Sequence, residues 1–265
     1  MQVFWKGLVV LSLAMMSSVA TAALEAGKPT VLITGANRGI GLEFVRQFSM
    51  RDWNIIATAR SPEKATKLQA FADQDPNIII EKLDVTDHPG IEALAARYQD
   101  QPIDILLSHA GLTPKYVSAF KRVKGVDFDM ASLSFEVNAL GPLKLSQQFM
   151  AHVAASDQKK IVIISSKAGS FEESPKLPIM YSYRGSKAAL NMFVYTLAFE
   201  TPRQGITLTL LSPGEVNTAD MKGMKRPGMI ETDESVSKML KVIDNLTPED
   251  NGKFLDFEDG QVIAW

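Results

Sequence analysis

The sequence predicts an α/β protein built on a doubly wound parallel sheet of about seven strands, with helices on both faces. Three observations carry this. Short runs rich in β-branched residues alternate along the chain with segments of helical period. The short runs are apolar throughout rather than alternating, as in strands covered on both faces. A glycine cluster closes the first run and opens the first helix, the junction at which open parallel sheets bind dinucleotides.

The elements follow in order. Thr30–Thr34 (TVLIT) is a strand, and Gly39–Phe48 takes a helical period. Asn54–Ala59 (NIIATA) is the second strand, with Pro62–Phe71 helical after it. Asn77–Leu83 is the third strand, Ile91–Tyr98 a helix, and Ile103–Leu107 a fourth strand between Pro102 and Gly111. Ser132–His152 reads as one long helix, Lys160–Ser165 as the fifth strand and Tyr183–Phe199 as a second long helix. Ile206–Leu211 and Lys253–Phe257 supply two more strands around a helix near Glu234–Asp244.

Composition narrows the function. The 265 residues are 46% hydrophobic and 22% charged, with 28 basic against 30 acidic side chains, which describes an ordinary globular chain. No electrostatic argument for a nucleic-acid partner exists at a net charge of −2. Cysteine is absent, so disulfides and thiol nucleophiles are excluded, and His88, His109 and His152 show no metal-ligand spacing. No metal site is expected. With no internal repeat or linker, residues 30–265 are read as a single domain.

The first residues are different in kind. Lys6 precedes an apolar run, Gly7 to Met16, which ends in the small-residue pattern Ala20-Thr21-Ala22. This reads as a signal peptide over residues 1–22, cut after Ala22, with 23–29 as a short tether that touches no sheet pairing. Export to a periplasm or the exterior follows. The alternatives are a membrane anchor over residues 7–24, or a cytoplasmic protein with a misassigned start.

The glycine turn is a phosphate cradle. Gly35, Asn37, Arg38, Gly39, Ile40 and Gly41 lie between the first strand and the first helix. Glycine permits positive φ and close approach of backbone to a bulky anion, and a helix N-terminus offers free N–H groups. Rival motifs are missing: no G-x-S-x-G elbow surrounds a serine, and no G-x-x-x-x-G-K-[ST] loop is present.

From here the sequence resembles the short-chain dehydrogenase/reductase family. Thr34-Gly35-Ala36-Asn37-Arg38-Gly39-Ile40-Gly41 matches its glycine motif, and Asp84-Val85 its pair after the third strand. Asn138, Ser166 and the Tyr183-x-x-x-Lys187 pattern follow in the family's order, then Pro213-Gly214 with Val216 and Thr218. A YxxxK pattern recurs by chance; its place on the helix after strand five carries the weight. Tyr183–Asn191 and Gly252–Trp265 look most like the carbonyl-reductase branch that includes sniffer and C-factor. Where the family has Asn-Asn-Ala-Gly, this chain has Ser108-His109-Ala110-Gly111, a loop that lines the cofactor ribose in the family. His109 is read as packing that loop rather than as a base. The segment from Ser166 to Tyr183 is longer than usual and contains Glu172, Glu173, Pro175 and Pro178.

The resemblance implies a Rossmann-fold oxidoreductase that interconverts a small-molecule carbonyl and its alcohol. It implies Tyr183 as proton donor or acceptor, Ser166 as the hydrogen-bond donor to the reacting oxygen, and Lys187 on the nicotinamide ribose. Asn138 would order a water beside Lys187, and Asp84 would meet the adenine. A lysine four residues after a tyrosine on a helix shares its face and should lower the phenol's pKa. NADP(H) is expected over NAD(H), because Ala59-Arg60 stands where a ribose-binding carboxylate would end strand two, with Arg38 nearby. The resemblance leaves room for a homo-oligomer, dimer or tetramer. A non-catalytic dinucleotide-binding protein with a signalling or interaction role is the alternative. The Met-rich stretch Met221–Met229 would suit an adaptable apolar pocket.

Overall fold

A computed structural model describes residues 24–113, 120–218 and 228–265. The expected signal segment lies outside these residues, as do positions 221–227 of the Met-rich stretch. Seven strands form one parallel sheet: β1 (Thr30–Thr34), β2 (Asn54–Ala59), β3 (Ile78–Lys82), β4 (Ile105–Ser108), β5 (Lys160–Ile164), β6 (Thr207–Ser212) and β7 (Phe254–Asp256). Their order is β3-β2-β1-β4-β5-β6-β7 and every neighbouring pair is parallel. The order reverses between β1 and β4, so the crevice at the carboxyl ends of those strands is where a parallel sheet offers a ligand site.

Consecutive residues of the central strands bury on opposite faces, which explains why they are apolar throughout. Val31, Ile33, Ile55, Ala57, Ile105 and Leu107 pack with Phe44 and Phe48 of α1 (Gly39–Ser49), Leu68 of α2 (Thr66–Ala72) and Met239 and Leu240 of α7 (Thr232–Asp244). Leu32, Ile56, Leu106, Ile161 and Ile163 pack on the other face. Their partners are Ile91 of α3 (His88–Arg97), Phe149 of α5 (Gly141–Ala154) and Leu190 of α6 (Tyr181–Leu197). Phe44, Phe48 and Phe149 are fully buried, each removing enough apolar area to contribute roughly 2–3 kcal/mol.

Three expectations are corrected. The long helix over 132–152 is instead α4 (Phe128–Phe135), a π turn (Glu136–Leu140) and then α5. Pro142 has no N–H for an α-type bond to the Asn138 carbonyl, and Gly141 is pressed so close to the next layer that a Cβ there would lie 2.9 Å from the Val85 carbonyl oxygen. The helix expected from Tyr183 begins two residues earlier, after Met180 turns the chain at φ 56°. The tether is not loose: the Glu25 N–H donates to Asn54 Oδ1 at 2.9 Å and the Asn54 amide returns a bond to the Glu25 carbonyl at 2.8 Å. The Asn54 N–H also donates to the Pro29 carbonyl at 3.0 Å, so residues 24–29 are laced to β2.

Candidate active site

The turn from β1 into α1 is built for close approach. Gly35 and Gly39 have φ of 70° and 55°, in the left-handed region that favours glycine. A Cβ on Gly35 would lie 2.9 Å from the Cα of Ala110, and one on Gly41 would lie 2.3 Å from the Gly35 carbonyl oxygen. No side chain caps α1, whose N-cap is Arg38, and its first turn has no acidic residue. Its leading N–H groups and dipole therefore suit a phosphate. Asn37 and Arg38 are exposed at this end, Ile40 is buried beneath it, and Thr218 approaches Gly39. Arg60, exposed, leaves the end of β2. The glycine turn and the uncapped start of α1 fit the pyrophosphate of a dinucleotide.

The other residues expected at the cofactor lie in the segments after β3, β4 and β6. Asp84 spends one carboxylate oxygen on the Thr86 N–H and hydroxyl, at 3.0 and 2.8 Å. Val85 is buried against Gly141. Ala110 donates its N–H to Thr34 Oγ1 at 3.0 Å, and Gly111 is exposed beside Asn138. Pro213 accepts from the Ser235 hydroxyl at 2.7 Å, Gly214 turns the chain at φ 80° against the Phe257 ring, and Val216 pairs with Ile230.

The four residues expected to carry the chemistry converge from three elements. Ser166 follows β5, and Tyr183 and Lys187 share a face of α6. Ser166 accepts from the Ala168 N–H at 3.2 Å, and its hydroxyl stands near enough to the Tyr183 phenol to ease that group's pKa downward. Its neighbour Ser165 is committed elsewhere, donating to Asn191 Oδ1 at 2.6 Å. Asn138, fully buried, holds the backbone of Leu112 with both ends of its amide, at 2.6 and 3.0 Å, and donates to Ser186 Oγ at 3.0 Å. Ser186 in turn donates to the Tyr183 carbonyl at 2.8 Å. Asn138 thus joins the loop after β4 to the first turn of α6.

The expected pairing of ammonium and phenol is corrected. Lys187 Nζ donates to the Ile164 carbonyl at 2.8 Å, and burial pushes its pKa down to about 8. Burial raises the Tyr183 phenol above its usual range, with the Ser166 hydroxyl opposing in part. Desolvation of the phenol therefore outweighs any help from the lysine, and Tyr183 holds its proton at neutral pH.

Sequence reasoning missed two supports. Gly169 packs against α6 so closely that a Cβ would lie 2.8 Å from the Lys187 carbonyl carbon. Arg184 ties the long segment before α6 in place, bonding the Leu177 carbonyl at 2.8 Å and Ser174 Oγ at 2.7 Å. The arginine inside the YxxxK pattern was the available signal. Among the described residues no cluster of His, Asp or Glu could hold a metal ion.

Residues 29–229 match the family model described as short chain dehydrogenase. An uncharacterized oxidoreductase of Schizosaccharomyces pombe is 32% identical over 251 residues, covering 88% of this chain and 96% of that protein. The NADPH-bound carbonyl reductase from chicken fatty liver is 34% identical with a TM-score of 0.82, over 90% of this chain and 99% of that one. The carbonyl reductase Sniffer of D. melanogaster is 27% identical with a TM-score of 0.80, over 90% and 100% of the two chains.

Proposed function

The chain belongs to the short-chain dehydrogenase/reductase family of oxidoreductases, and from that premise we propose that it is an NADP(H)-dependent carbonyl reductase acting on a small or medium apolar carbonyl. The observation that carries this is the placing of a half-buried Ser166 beside a half-buried, protonated Tyr183, one helical turn from a buried Lys187. A protein that only bound a nucleotide would need neither a phenol nor a serine hydroxyl aimed at a reacting oxygen.

NADPH, when bound, supplies the hydride. Gly35 to Gly41 with the start of α1 would hold its pyrophosphate, Arg38 and Arg60 its additional phosphate, and Asp84 its adenine. Lys187 would meet its ribose. Tyr183 gives its phenolic proton to the carbonyl oxygen as negative charge develops there. Ser166 donates a hydrogen bond to the same oxygen. The raised phenol pKa favours this direction, because the proton is in place at neutral pH. Alcohol oxidation would need the phenol deprotonated, and so a higher pH. The NADPH bound to the chicken carbonyl reductase supports the choice of nucleotide.

A carbonyl panel with NADPH, read as nicotinamide absorbance, tests the proposal on wild type and Tyr183→Phe. The variant should bind NADPH normally and lose about 10²–10⁴-fold in kcat. Retention of more than about a tenth of wild-type kcat would falsify the proton-donor role.

A further inference from the structure

The glycine turn is held from both sides. On one side the Ala36 N–H donates to the Thr58 carbonyl of β2 at 2.9 Å. On the other stands His109, at the end of β4. Its backbone N–H donates to Thr34 Oγ1 at 3.0 Å, and its ring Nδ1 lies 3.3 Å from the Thr34 carbonyl oxygen. A carbonyl only accepts, so Nδ1 carries the proton.

The ring is fitted between two glycines of the motif. A Cβ on Gly35 would lie 3.2 Å from Nδ1, and one on Gly41 would lie 2.8 Å from it. Backbone atoms lie closer still at both positions, so glycine is required there with or without the imidazole, and the ring occupies the space the two glycines leave. Burial holds the ring's pKa down to about 4, and the Lys187 and Arg38 charges push it the same way. The imidazole is therefore neutral across the physiological range.

We propose that His109 is a positioning residue for the dinucleotide: its Nδ1–H ties Thr34 to the loop after β4 and holds the glycine turn in the shape that receives the pyrophosphate. This rests on the nucleotide reading above. It assigns His109 no contact with substrate and no proton transfer. The first and third glycines then have a second role, since they leave room for the ring that sets the turn.

Nucleotide titration without turnover tests it, following NADPH fluorescence on the full chain. Wild type is measured first, with NADPH and NADH; failure to bind either overturns the proposed function itself. His109→Leu keeps much of the volume and removes the donor, and its Kd for NADPH should rise by at least about tenfold. His109→Asn puts an amide donor at the place of Nδ1 and should stay within about threefold of wild type. The nucleotide-free thermal midpoints of the two variants should lie close together. A leucine variant that binds as tightly as wild type, or an asparagine variant as weak as the leucine one, overturns the inference. Should leucine prevent folding, His109→Gln, whose donor cannot sit at Nδ1, is read in its place with the same two outcomes.

Discussion

Replacing Lys187 with methionine should make this protein more stable and far less active. In the wild type the lysine's pKa is displaced from 10.5 to about 8 by burial, so holding its charge at neutral pH costs the fold about 3 kcal/mol. Methionine fills much of the same space but leaves the Ile164 carbonyl without its donor, a loss of roughly 1 kcal/mol. The net gain is about 2 kcal/mol, and a domain of this size gains roughly 2–4 °C per kcal/mol, so Tm should rise by about 4–8 °C near pH 7. The pH dependence carries the sign. Between about 8 and 10.5 the unfolded chain holds a proton on this lysine that the folded chain has released, so wild-type stability from this group rises with pH through that window. The methionine protein has no such slope. Its advantage is therefore full below about pH 8 and gone near 10.5. Calorimetric melts of both proteins at neutral and alkaline pH measure this. A variant that melts below wild type at neutral pH, or an advantage just as large at alkaline pH, refutes the burial-cost reasoning.

Other substitutions separate roles that the structure places side by side. Arg60→Glu puts a carboxylate at the end of β2 and should lower kcat/KM for NADPH by roughly 10–100-fold while sparing NADH; equal effects on the two nucleotides would remove Arg60 from the phosphate site. Ser166→Ala should cost about 10²–10³ in kcat, whereas Ser165→Ala should keep most turnover. The latter leaves the buried Asn191 Oδ1 without its donor, and chemical denaturation should show a loss of about 1–3 kcal/mol. At the N-terminus, we propose that the native protein starts at Ala23 and is exported; N-terminal sequencing after cell fractionation that finds Met1 in the cytosol would rule this out. A chain starting at Ala23 should melt where the full chain does. One starting at Thr30 should melt lower, having lost the reciprocal Glu25–Asn54 bonds.

Sequence by itself determined the sheet. Uninterrupted apolar runs such as TVLIT and NIIATA bury on both faces, and only a parallel sheet with helices on each side covers them. It also determined the glycine turn and the order of Asn138, Ser166, Tyr183 and Lys187, because glycine conformation and helical spacing are local properties. Tertiary structure decided the rest. The break of the long helix at Asn138 has a local signal, Gly141-Pro142, but needs the contact with Val85, residues away in sequence, to explain its glycine. Ser165 and Ser166 are chemically identical; the resemblance selects Ser166, and the arrival of Asn191 and Tyr183 from α6 supplies the physical difference between them. The ionisation of Lys187 and Tyr183 could not be read from their spacing. Spacing places two groups on one face, but desolvation depends on everything packed around them, and here it lowers the lysine and raises the phenol.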